Sequence, residues 1–150
     1  MAAQGTATNK ELVRTIVVGV DGSDGSKRAL AFAIDEAVAH KWRVLLVHGV
    51  DVGLSAADPY GGGAVLEQLQ EAGRVVLDEA AAAVTKHQLA VDTCLEIGSP
   101  AYALVDAAKG AAMLVVGSRG HGGFVGLLLG SVSSACVHHA HCPIVVIPKD

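Results

Sequence analysis

Gly117-Ser118-Arg119-Gly120-His121-Gly122-Gly123-Phe124-Val125-Gly126-Leu127-Leu128-Leu129-Gly130-Ser131 follows the apolar run Met113-Leu114-Val115-Val116 and precedes a segment, Val132 to His139, that can form a short helix. The run reads as a buried strand. A strand that ends in a glycine loop feeding a helix is a phosphate-binding device: glycine lets the backbone approach a ligand without a Cβ clash, and the unpaired N–H groups of loop and helix start point at an anion. Gly117, Gly120 and Gly130 would supply turns and close approach, and Ser131 a hydroxyl donor. The alternative is a tight surface loop that binds nothing, since glycine clusters mark loops in either case.

Working outward, the rest of the chain alternates between strand and helix patterns. Thr15-Ile16-Val17-Val18-Gly19-Val20 is a continuous β-branched run suited to a strand covered on both faces. Asp21-Gly22-Ser23-Asp24-Gly25 breaks it, and from Ser26 the apolar positions Leu30, Ala33, Ile34, Ala37 and Val38 follow helical spacing, with Ser23 or Asp24 as N-cap. Trp42 to Val47 predicts a second strand, with a loop over Asp51 to Gly63, and a helix from about Ala64 to Gln88. Val91 to Ile97 alternates as a half-exposed edge strand would. Ser99-Pro100 starts a helix, Gly110 stands where a C′ glycine belongs, Ala111 to Val116 is the fourth strand and Pro143 to Pro148 the fifth. This β-α-β-α-β-α-β-α-β order argues for a parallel α/β sheet with right-handed crossovers.

The chain has 150 residues, 51% of them apolar, which fits one domain with a substantial core. No apolar run approaches the roughly 18 residues of a membrane span. Lysine and arginine number 11 against 15 acids, for a net charge of −4, with no basic cluster, so the footprint of nucleic-acid binding is missing. Cys94, Cys136 and Cys142 cannot all pair within one chain and lack a C-x-x-C spacing, so a reduced cytoplasmic setting is the simplest expectation. Residues 1–12, rich in Ala, Thr, Gly and polar residues, read as a disordered tail, with residues 13–150 as a single domain.

Gly117-x-x-Gly120, nine residues, then Gly130-Ser131 resembles the G-x2-G-x9-G-[S/T] signature of the ATP-binding branch of the universal stress protein family. Val20-Asp21-Gly22-Ser23 and the stretch Cys142 to Val146 are similar to two further marks of that family. The resemblance runs from Arg14 to Pro148. It implies an open five-stranded parallel sheet of order 3-2-1-4-5 with helices on both faces, of the adenine-nucleotide alpha-hydrolase-like kind. The first and fourth strands would then flank a switch point, where ligands of open α/β sheets sit.

What the resemblance implies about function is an adenine-nucleotide-binding stress-response protein. Its ligand would be ATP or AMP, with cyclic AMP undecided and Mg²⁺ able to bridge ATP without dedicated ligands. Asp21 would contact adenosine, Gly49 would offer its backbone to adenine, and Gly117 would lie against the ribose. Gly120, Gly130, Ser131 and the amide of Val132 would cradle the phosphates. Side chains such as Val are usual at the position of Gly49. Asp21 also reads as an Asx-turn residue closing the first strand. A homodimer through the fifth strand, Ile144-Val145-Val146-Ile147, is expected because that strand would form an unpaired sheet edge; prolines blunting a solvent-exposed edge are the alternative.

Other chemistries find no motif. Gly19-x-x-Gly22-x-x-Gly25 is not a dinucleotide fingerprint, no Gly-Lys pair supports a P-loop, and no G-x-S-x-G elbow occurs, so no catalytic residue is assigned. Slow ATP hydrolysis and an interaction module with an empty loop remain as alternatives. Cys136, His138, His139, His141 and Cys142 form the densest set of candidate metal ligands, but helical spacing keeps them from converging, and no metal site is assigned. His48 reads as a hydrogen-bonded wall residue. Arg119 and His121 are placed to touch phosphates or to stand in solvent, and Phe124 to Leu129 to form an apolar lid or a subunit contact.

Overall fold

The computed structural model describes residues 9–53, 62–120 and 128–149. His121 and positions 124–127 of the expected lid lie outside the described residues, as does the first part of the expected tail. The elements are α1 (Asn9–Leu12), β1 (Thr15–Gly19), α2 (Asp24–His40), β2 (Arg43–Val50), α3 (Gly62–Thr85), β3 (Val91–Ile97), α4 (Pro100–Ala107), β4 (Met113–Gly117), α5 (Ser131–His139) and β5 (Ile144–Ile147).

The five strands form one parallel sheet in the order β3-β2-β1-β4-β5. Val17 pairs with Leu45 on one side and Leu114 on the other, so β1 is central. Its four leading residues are buried because both faces are covered, which is why the sequence shows a run there rather than an alternation. Ile16, Val18 and Val20 face α2 and α3, packing with Leu30, Ala33, Leu77 and Val84. Val17 faces the opposite layer, with Leu104 of α4 and Cys136 of α5. Chain leaving β1 therefore enters one helical layer and chain leaving β4 enters the other, which opens a crevice at the carboxyl ends of these two strands.

Helix α2 begins where its sequence can satisfy the first amides. Ser23 Oγ accepts from Ser26 N at 3.2 Å, and Ser26 Oγ donates to Ser23 O at 3.1 Å. The buried stripe Ala29, Leu30, Ala33, Ile34 and Ala37 then lies along the sheet. Ser99 caps α4, with Pro100 opening it.

Several boundaries differ from the sequence reading, each for a tertiary reason. β2 continues through His48 and Gly49 to Val50 because β3 pairs with it all the way, from Val44↔Val91 to Val50↔Ile97. α2 ends at Lys41 in the left-handed region (φ 56), a conformation that the side chain gives no cue for. Asn9–Leu12 of the expected tail form a helical turn: Thr15 Oγ1 donates to Glu11 O at 2.8 Å, and Arg43 faces the Glu11 carboxylate. Among the described residues no helix is long and apolar enough to cross a membrane.

Candidate functional site

The crevice is built from the turn after β1, the exit of β4 and the start of α5. Asp21 closes β1 as an Asx turn, its Oδ1 accepting from Ser23 N at 2.8 Å and from the Ser23 hydroxyl. Gly22 takes φ 82, which a side chain would resist. The carboxylate's other oxygen points across to the glycine loop, 2.5 Å from where a β-carbon on Gly120 would stand. Glycine at 120 thus gives the Asp21 carboxylate its room, and two candidate residues 99 positions apart meet.

Gly117 serves a second close approach. A β-carbon there would come within 2.8 Å of the backbone of Gly25, and one on Gly25 within 2.5 Å of the Arg119 carbonyl oxygen. The first turn of α2 and the exit of β4 therefore cross backbone on backbone. Gly25 was not among the candidate residues; its spacing from Gly19 and Gly22 was visible, but its partner is a tertiary one.

The base of the glycine loop is pinned on the carbonyl of Ser118, which accepts from Gly130 N at 2.6 Å and from the buried Ser133 Oγ at 2.7 Å. Ser118 N in turn donates to Ile147 O at 2.8 Å, joining the loop to the edge strand. Ser133 lay outside the sequence signature, two residues beyond Ser131. Gly130 is the N-cap of α5, at φ −76 and ψ 175, with no side-chain cap hydrogen bond. Neither backbone nor packing demands glycine there, since the nearest atom to an added β-carbon is 3.4 Å away. Ser131 is exposed and Val132 is partly buried against the α4 side of the core.

Gly49 stands apart from this group. Its nearest surroundings are Pro100, whose Cα would be 2.5 Å from an added β-carbon, so glycine at 49 lets the start of α4 lie on β2. His48, one residue earlier, points to the other face: its Nδ1–H donates to Val20 O at 2.8 Å, and its ring fills the space left by Gly73 of α3. The wall role expected of His48 is what the geometry gives. That bond orients the peptide between Val20 and Asp21.

Cys136 is fully buried while His138, His139 and His141 are exposed, and among the described residues no group of three or more His, Cys, Asp or Glu is placed to hold a metal. Burial, with Cys142 nearby, pushes the Cys136 thiol up to about 11, which leaves it protonated at neutral pH.

A profile of the universal stress protein family matches residues 13–148. The chain belongs to the universal stress protein family. A universal stress protein of Mycolicibacterium smegmatis is 38% identical over 135 residues, covering 88% of this chain and 45% of that protein; the chain spans about half the length of the first curated relatives it matches. Among solved structures, the universal stress protein from Archaeoglobus fulgidus in complex with dAMP superposes with a TM-score of 0.64 at 25% identity, over 91% of this chain and 98% of that one. A universal stress protein in complex with cAMP gives a TM-score of 0.70 at 26% identity, over 93% and 99%. The five-stranded 3-2-1-4-5 sheet with helices on both faces is the adenine-nucleotide alpha-hydrolase-like fold of these universal stress proteins.

Proposed function

We propose that this universal stress protein binds an adenine nucleotide in the crevice between the ends of β1 and β4, as a member of the ATP-binding branch acting in a stress response. The observation that carries the reading is the bare start of α5. Glycine at the N-cap leaves the first amides without a side-chain acceptor, although a Ser or Asp would fit the backbone and cap the helix better by roughly a few tenths of a kcal/mol. An anionic ligand accounts for that choice, because it supplies the missing acceptor and needs the space. Two family members of similar fold are complexes with cAMP and dAMP, which supports an adenine nucleotide as the class.

In this reading Gly120, Gly130, Ser131 and the Val132 amide hold the phosphates, and Asp21 and Gly117 meet the adenosine. Gly49 is the least supported member, since Pro100 covers it. ATP, with or without Mg²⁺, and AMP both suit the cradle. Asp21→Ala tests the adenosine half. By calorimetry it should weaken adenosine and ATP about tenfold, the loss of one charge-assisted hydrogen bond, and unchanged affinity for both would leave Asp21 as a turn residue only.

A further inference from the structure

β1 stops pairing with β2 at Gly19↔Val47, yet the chain stays beside β2 for one more residue, with Val20 N donating to Val47 O at 3.0 Å. Val20 O then accepts from a side chain, the Nδ1–H of His48, at 2.8 Å. The other end of the same peptide, Asp21 N, donates to Ser26 Oγ at 3.4 Å. Side chains of β2 and α2 thus hold both polar ends of the Val20–Asp21 peptide at the point where the chain leaves the sheet. The next group along is the Asp21 carboxylate, which holds Ser23 N with one oxygen and turns the other toward Gly120.

The seat of the ring is a second, independent observation. A β-carbon at Gly73 of α3 would stand 2.6 Å from His48 Cδ2 and 3.0 Å from Nε2, so the helix carries a glycine in its interior, against its own propensity, to admit the ring in this orientation. A bond to a carbonyl selects the Nδ1–H tautomer, and the ring donates from Nδ1 whether neutral or charged. We propose that His48 is a positioning residue of the crevice: by holding Val20 O it sets the direction of the Asp21 carboxylate, and so of the adenosine contact. The inference rests on the nucleotide reading above and deepens it. His48 acts through Asp21 rather than on the ligand, so its loss falls on the nucleoside and spares the phosphates, which the start of α5 receives.

Leucine and asparagine are close in size and shape, and only asparagine keeps a donor. The test is calorimetry of adenosine, ATP and inorganic tripolyphosphate with the parent, His48→Leu and His48→Asn, each also in the Asp21→Ala background, with thermal midpoints and hydrogen exchange of the Ser23 amide measured alongside. His48→Leu should weaken adenosine and ATP about fivefold, the weight of one hydrogen bond, and tripolyphosphate by less than about twofold. His48→Asn should recover most of the loss. In Asp21→Ala the same substitutions should change adenosine by less than about twofold, since the carboxylate they aim is gone. Equal losses in both backgrounds, an equal loss for tripolyphosphate, or no loss would overturn the assignment. If the parent binds no adenosine, the nucleotide reading fails by itself and exchange decides His48: the Ser23 amide, held by the Asp21 carboxylate, should exchange about fivefold faster in His48→Leu than in His48→Asn, and equal rates would remove the positioning role.

Discussion

Asp21 shows how one side chain serves turn and crevice together. One carboxylate oxygen holds the Asx turn through Ser23 while the other faces Gly120, so the turn that ends β1 also fixes the direction of the charge. His48 steadies the same peptide from the neighbouring strand, and α3 carries Gly73 in its interior, at a helix cost of about 1 kcal/mol, to seat the ring. The thiols make a separate prediction at this scale. Burial, then the hydrogen bond to Glu96 and the charges of Glu96 and Asp106, push Cys94 from 9.0 to about 11; burial, then Cys142, does the same to Cys136. The folded state therefore prefers the protonated thiols. Their contribution is complete below pH 9.0, and it is lost as the pH rises toward 11, because the unfolded chain ionises first. Denaturant unfolding between pH 8 and 11 should show a steeper fall for the parent than for Cys94→Ala/Cys136→Ala, and parallel curves would refute the burial argument.

Among the elements, helix α2 is the one whose two ends are made by opposite means. Its start is read directly from Ser23 and Ser26, but its end places Lys41 at φ 56, where a non-glycine residue is strained by about 1 kcal/mol. Trp42 explains why the chain accepts it: its ring stacks on His40 at 4.1 Å, and its amide donates to Ala37 O. Lys41→Gly should accordingly raise stability by about 0.5–1 kcal/mol, seen as a higher thermal midpoint; an unchanged or lower midpoint would show that no strain is stored there. The sequence carried those parts of the architecture that depend on neighbours along the chain. Apolar runs marked β1 and β4, Ser99-Pro100 marked α4, and the glycine signature marked the loop that Ser118 pins. It could not carry the extension of β2 to Val50, which β3 imposes, nor the crossing of Gly25 with Gly117, whose partners are 92 residues apart. Ser133 was unreadable for the same reason, since a serine on a helix acquires its meaning only from what the fold sets beside it.

At the scale of the whole molecule, β5 ends the sheet with one side unpaired among the described residues, and all four of its residues are only partly buried. We propose that a second copy pairs there antiparallel about a two-fold axis, covering the half-exposed strand Ile144–Ile147. Sedimentation should then find the parent as a dimer and Val146→Lys shifted toward monomer, whereas a monomeric parent at micromolar concentration would rule the arrangement out. Such pairing would also bear on the crevice, because Ile147 O receives the Ser118 amide at the base of the glycine loop. The central claim, a nucleotide phosphate seated on the start of α5, is tested most directly by titrating ATP and AMP into the parent and Gly130→Asp. Aspartate suits this N-cap backbone and finds no atom closer than 3.4 Å to its β-carbon, so the variant should fold at least as stably as the parent. Its carboxylate would occupy the amides and repel the phosphates. Binding by the parent, with a loss of about tenfold or more in Gly130→Asp at an equal or higher thermal midpoint, is the predicted result; equal affinity of the two proteins, or no binding by the parent, would contradict it.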